Sequence, residues 1–210
     1  SLRREAFQES GRRVTLYKGV REWFARINAY GAARGIRILH YINSSGLKEI
    51  IEGTEIAHEF RRIYACSFLY DIDGVAYWPA VAVNYTNKTQ FIFKINKGVE
   101  SVFDSKLVNQ YIEEDKRPVP FRRMIYVGDG TTDIPCMRLV KNSGGHSIAV
   151  YNPEIRNARR ELNGLIRDNR VSHVCPADYS EGSEMDTLVK TIIDKIEADH
   201  RLELLETPRT

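Results

Sequence analysis

Two carboxylates four positions apart, Asp129 and Asp133, stand in Met124-Ile-Tyr-Val-Gly-Asp-Gly-Thr-Thr-Asp133, directly after a short apolar run. Met124 to Val127 reads as a buried strand, Gly128 and Gly130 permit a tight exit, and Ile134 to Val140 begins a helix. In a parallel α/β sheet, ligands gather at the carboxyl ends of the strands. Asp129 at such a tip would hold a hard cation such as Mg²⁺ through oxygen. Asp133, in the first helical turn, either joins that metal shell or serves as a capping acid that complements the helix dipole. Thr131 and Thr132 would contact a metal-bound water or cap the same helix.

Two further features lie upstream. Ile36 to Ile42 reads as a strand, and Asn43-Ser44-Ser45-Gly46 as a polar turn before the short helix Leu47 to Glu52. Ser44 offers a hydroxyl, and the backbone N–H groups of Ser45 and Gly46 at a helix start form an anion site. Lys97, in Ile95-Asn96-Lys97-Gly98, supplies a point charge for a phosphate. Lys94 and Lys88 are its rivals, and the following glycine favours Lys97. Hydroxyl, lysine and acidic corner in this order describe a phosphoryl-transfer site.

The elements that must position these residues alternate between strand and helix. Val20, Trp23, Phe24, Ile27 and Tyr30 recur at helical spacing over 19–33. Residues 62–70 and 75–83, rich in β-formers, flank Asp71-Ile-Asp-Gly74 and read as a hairpin. Helices are predicted over 87–96, 104–114, 154–168 and 184–206, and strands over 147–151 and 172–175. Arg117 to Pro120 is a loop, and Gly144-Gly145 is a helix stop rather than part of a dinucleotide fingerprint. The pattern predicts one α/β domain over 1–210: a Rossmann-like, mostly parallel sheet flanked by helices, with a β-hairpin insertion over 62–83.

Composition excludes several classes. A net charge of +3 from scattered basic residues gives no nucleic-acid footprint. Cys66, Cys136 and Cys175 form no C-x-x-C pair, so reduced thiols in the cytoplasm are expected. His40, His58, His146, His173 and His200 show no ligand spacing. No apolar run approaches the roughly 18 residues of a membrane helix, and the charged start is unlike a signal peptide. Neither nucleic acid nor a membrane is therefore an expected partner.

Taken in order, these motifs resemble the haloacid dehalogenase superfamily, in its phosphoserine-phosphatase-like branch. Ile38-Leu-His-Tyr-Ile-Asn-Ser44-Ser-Gly46 is similar to the second motif of that family, Lys97-Gly98 to the third, and Gly128-Asp129-Gly130-Thr131-Thr132-Asp133 to the fourth. The resemblance covers roughly residues 15–175. It implies a Mg²⁺-dependent phosphohydrolase whose partner is a small phosphorylated metabolite, a phosphomonoester, and in which Ser44, Ser45, Gly46 and Lys97 bind phosphate, Lys97 neutralises it, and Asp129 and Asp133 serve the metal. The family's first motif is Asp-x-Asp on a central strand, and its first Asp is the nucleophile. No such strand precedes Ser44, so little turnover is expected from this chain. Phe68-Leu-Tyr-Asp71-Ile-Asp73-Gly74 spells the motif but follows Ser44, and a second strand comes after it instead of a helix. We therefore read Asp71 to Gly74 as a hairpin turn. The alternative function is a non-catalytic phosphate- or partner-binding module.

A sheet without its central strand has two orphaned edges, at about 1–3 kcal/mol for each buried unpaired group. The chain is expected to slide the flanking strands together, borrow a strand, or pair with another copy in a homo-oligomer.

Overall fold

Ser147, Ile148, Ala149 and Val150 are all buried, and a strand hidden on both faces requires a helical layer on each side. The computed structural model has both layers, and describes residues 2–104 and 106–206. Among the described residues the strands are β1 (Tyr41–Leu47), β2 (Arg62–Tyr70), β3 (Ala76–Val81), β4 (Ile125–Gly128), β5 (His146–Tyr151) and β6 (His173–Pro176). The helices are α1 (Arg4–Gly11), α2 (Val20–Ala32), α3 (Lys48–Glu52), α4 (Lys88–Asn96), α5 (Lys106–Asn109), α6 (Ile134–Asn142), α7 (Ala158–Arg167) and α8 (Glu184–Glu206).

The single sheet expected from the sequence is divided in two. One sheet runs β1-β2-β3 and the other β4-β5-β6. β1 pairs parallel with β2, β2 antiparallel with β3, and β4, β5 and β6 are parallel throughout. The protein is thus α/β, with mostly parallel sheets flanked by helices. β1 and β4 are not hydrogen-bonded to each other, so the described chain neither slides them together nor lends a strand between them.

Shared helices hold the two sheets side by side. On one face Trp23, Phe24 and Ile27 of α2 and Met185, Val189, Ile192 and Ile193 of α8 form a core with Ile148 and Val150. Ile38, just before β1, and Ile125 of β4 both pack against it. On the other face Phe91, Ile92 and Ile95 of α4 join Cys136 and Val140 of α6, with Tyr41 of β1 and Tyr126 of β4 against them. Each helical layer therefore spans the junction that the strands leave unpaired. The alternation of side chains across each strand, period two, sends neighbours to opposite cores.

Several boundaries differ from the sequence reading. β1 begins at Tyr41 and continues through Asn43-Ser44-Ser45-Gly46, where a turn was expected. A bulge between Asn43 and Leu47 absorbs the polar residues while the ladder to β2 persists. α5 shrinks the predicted helix over 104–114 to four residues, and Ser105 within that span lies outside the described residues. α7 starts at Ala158 rather than Glu154, after Asn152 has capped a turn onto the Glu154 N–H at 2.9 Å. The hairpin is present, and Asp71 organises its turn: Oδ1 accepts from the N–H groups of Asp73 (3.0 Å) and Val75 (2.8 Å).

α1, which the sequence reading left unassigned, packs onto α3 through two glycines. A Cβ at Gly11 would stand 2.0 Å from the Ile50 carbonyl oxygen, and one at Gly53 would stand 2.0 Å from that of Gln8. Both neighbours are backbone, so neither yields cheaply. Gly53→Ala should lower stability by about 1–3 kcal/mol and release α1, seen as a lower denaturation midpoint and faster proteolysis within 4–11. An unchanged midpoint and digestion pattern would contradict this contact.

Candidate functional site

The chemistry gathers where α4 and α6 begin, beside the carboxyl ends of β1 and β4. α4 starts at Lys88 because the turn before it is tied to itself. Asn84 Oδ1 accepts from the Thr86 N–H at 2.9 Å, Asn87 Oδ1 accepts from the Asn84 N–H at 2.8 Å, and Asn87 Nδ2 donates to the Ala82 carbonyl at 2.7 Å. That turn sets Lys88 on the first residue of the helix, where the dipole disfavours a cation.

A carboxylate compensates it. Lys88 Nζ lies 2.5 Å from Asp133 Oδ1, with side chains only 5% and 9% exposed. Tyr126 donates its hydroxyl to the same oxygen at 2.6 Å, and the Gly130 N–H reaches Asp133 Oδ2 at 3.4 Å. Burial first, then the adjacent Asp133 charge, push the Tyr126 phenol far above its ordinary pKa, so it stays a donor. Asn43 of β1 closes the group: its Nδ2 donates to the Lys88 carbonyl at 3.1 Å and lies 3.9 Å from Cys136 Sγ. Burial raises the Cys136 thiol, leaving it a small neutral wall residue. Gly128 admits the carboxylate, for a Cβ there would stand 2.7 Å from Asp133 Cβ and Cγ.

The lysine favoured by the sequence is elsewhere. Lys97 caps the far end of α4 and donates to the carbonyls of Val108 and Gln110, each at 2.6 Å. Nine residues of helix separate it from Lys88, about 13–14 Å along the axis. Lys94 is likewise occupied by the carbonyls of Ser101 (3.0 Å) and Asp104 (2.7 Å). Both lysines pin the segment after α4. Lys88, one of the two rivals to Lys97 in the sequence, follows the Asn84-to-Asn87 turn, which marks the start of a helix at the strand tips.

The other sequence-assigned residues divide similarly. Ser44 sits inside β1, half-buried, and its Oγ accepts the Gly46 N–H at 3.0 Å. That donor is therefore used within the strand, and the five-residue α3 begins only at Lys48, so Ser45 and Gly46 do not form the expected helix-start anion site. Ser44 keeps its O–H to donate. Asp129 is exposed at the tip of β4, near enough to Tyr179 to be one of the charges that raise that phenol after burial and Cys175. The Tyr179 loop is fixed by its N–H to the Lys18 carbonyl (2.8 Å) and by Arg26 Nη2 to its own carbonyl (2.5 Å).

These donors fit Mg²⁺ only in part. Asp129 offers one free carboxylate, which suits a cation that otherwise keeps water and phosphate oxygens. Asp133 does not suit a metal, since its Oδ1 is held by Lys88 and Tyr126; it is the residue that positions Lys88. Among the described residues no cluster of three His, Cys, Asp or Glu side chains could hold a metal ion. Asp71 and Asp73 belong to the hairpin turn.

No family model matches the chain. It is similar to an uncharacterized protein of Borreliella burgdorferi, 28% identical over 220 residues, a match that spans 93% of this chain and 72% of that protein. Among the described residues no helix is long and apolar enough to cross a membrane.

Removing one partner of a buried pair strands the other charge, at about 3–5 kcal/mol. Lys88→Met and Asp133→Leu should each cost that much, and the double variant much less than their sum, in a denaturant-based double-mutant cycle. Additive costs would show that the two charges do not depend on each other.

Proposed function

We propose that Ser44, Lys88 and Asp129 bind a phosphoryl group together with Mg²⁺, and that the protein is a phosphohydrolase of the haloacid dehalogenase type acting on a small phosphomonoester. The observation that carries this reading is the buried Lys88–Asp133 pair at the carboxyl ends of parallel strands. A lysine held there by a carboxylate is a cation whose position costs nothing to arrange when an anion arrives.

Each residue has a distinct part in this reading. Lys88 Nζ has three donors, and Asp133 engages one of them, leaving others for phosphate oxygens. Tyr126 and Gly130 hold Asp133, so Lys88 cannot follow the ligand out. Ser44 donates its hydroxyl to a phosphate oxygen from β1. Asp129 contributes one oxygen to Mg²⁺, which when bound neutralises charge on the phosphoryl group. The attacking carboxylate of such a reaction is not among the described residues at this rim. That observation favours a second reading, in which the pocket binds phosphate without turning it over.

Calorimetric titration of the chain with inorganic phosphate in Mg²⁺ tests the shared premise. Binding should weaken at least about tenfold, equivalent to 1.4 kcal/mol, in Ser44→Ala and Lys88→Met, with folding of each verified by circular dichroism. Lys97→Met should bind as the parent does. Absence of phosphate binding, or a loss confined to Lys97→Met, would reject the proposed pocket. Hydrolysis of phosphomonoesters then separates enzyme from binding module.

A further inference from the structure

A cavity of about 320 Å³ lies at the amino ends of β1 and β2, away from the Lys88 rim. α4 joins the two places. Lys88 opens the helix, whereas Lys94, Ile95 and the following Gly98 line the cavity at its far end. The Lys97-Gly98 pair, unused at the Lys88 rim, has its place here. Gly98 turns the chain at a φ of +69°, and a Cβ there would stand 2.9 Å from Pro118 Cγ. The Val99 N–H then returns to the Lys94 carbonyl at 2.8 Å, and Tyr64 donates its hydroxyl to the Val99 carbonyl at 3.1 Å. This wall is fixed by the chain's own hydrogen bonds.

The lining combines apolar surface with an excess of positive charge. Leu39, Ile95, Val99 and Val119 supply aliphatic surface, and Tyr41 and Tyr64 supply rings. Arg37, Arg61 and Glu100 are exposed at its edge. Glu100 accepts from both Arg62, at 2.5 Å, and Arg61, and these two guanidiniums hold its carboxyl below the ordinary range. One carboxylate is thus shared by two cations, while Arg37 makes no ion pair among the described residues. Burial raises the Tyr41 phenol, and Arg61, Glu100 and Arg37 are charged groups near enough to act on it, so the three converge. Lys94, buried in the last turn of α4, donates to the carbonyls of Ser101 and Asp104 and offsets the negative end of the helix dipole. An anion is what this lining lacks.

We infer that the cavity binds a small carboxylic acid with an aromatic or aliphatic body, its carboxylate on Arg37 and Arg61 and its body against Leu39, Tyr41 and Val99. A guanidinium fork matches the two oxygens of a carboxylate. Small organic ligands occupy cavities of this size whose walls are mostly apolar with a few placed polar groups. Inorganic phosphate has no body to cover those walls. Glu100 competes for the Arg61 guanidinium, so removing its charge should tighten binding. The site is separate from the Lys88 rim and stands whether or not phosphate binds there.

Titration of the 210-residue chain with 3-phenylpropionate and with hexanoate, followed by NMR, tests it. Saturable shifts should appear at Leu39, Val99 and Val119 while Ile148 stays still. Arg37→Gln should weaken binding at least about fivefold, and Glu100→Gln should strengthen it by about as much. A gain of binding cannot come from a damaged fold. The neutral 3-phenylpropanamide and inorganic phosphate should each leave the three residues unmoved. Failure of both acids to saturate would overturn the inference. So would equal binding of the amide, which would make recognition purely apolar, or equal shifts with phosphate, which would make the edge a bare anion patch. Binding that is unchanged or weaker in Glu100→Gln would remove Arg61 from the site.

Discussion

Lys88 and Asp133 are opposite charges withdrawn from water at the one place where β1, β4, α4 and α6 all meet. Desolvating two ions costs several kcal/mol each, and their attraction offsets this only when the geometry is good and the remaining donors and acceptors are met. Here Tyr126 and Gly130 donate to the Asp133 carboxylate, and Asn43 fixes the backbone of Lys88 through its carbonyl. The pair therefore constrains its surroundings: Gly128 must lack a side chain, Tyr126 must stay protonated, and α4 must start at residue 88. It is poorly explained as a device for stability alone, since an apolar pair of like volume would pack as well.

The pair also stands where the hydrogen-bonded framework is interrupted. The core of each helical layer is continuous across the junction, with Ile38 and Ile125 against one layer and Tyr41 and Tyr126 against the other. Side-chain packing thus holds together what backbone pairing does not. Beside the charged pair, the side-chain oxygen of Asn43, Oδ1, is buried with no hydrogen-bond partner among the described residues.

Much of this was legible in the residues. The acidic corner at Asp129 and Asp133, the helix from Glu184 to Glu206 and the hairpin around Asp71 to Gly74 are written in local patterns of glycine, charge and apolar spacing. The buried lysine paired with Asp133 was not. Lys97-Gly98 satisfies a motif by its letters, but its ammonium binds the carbonyls of Val108 and Gln110, contacts that depend on how a distant segment folds back. β1 was displaced for a related reason: Asn43 to Gly46 has turn composition, and pairing with β2 overrides local preference. The residues of the short α5 carry no periodicity strong enough to fix its length.

The central claim is that Lys88, held by Asp133, is the cation that this rim presents to an anion. Lysine ammonium resonances assigned by NMR, followed while inorganic phosphate and Mg²⁺ are titrated in, test it directly. The account predicts a saturable shift at Lys88, with Lys94 and Lys97 still. Movement at Lys97 while Lys88 stays fixed would contradict it.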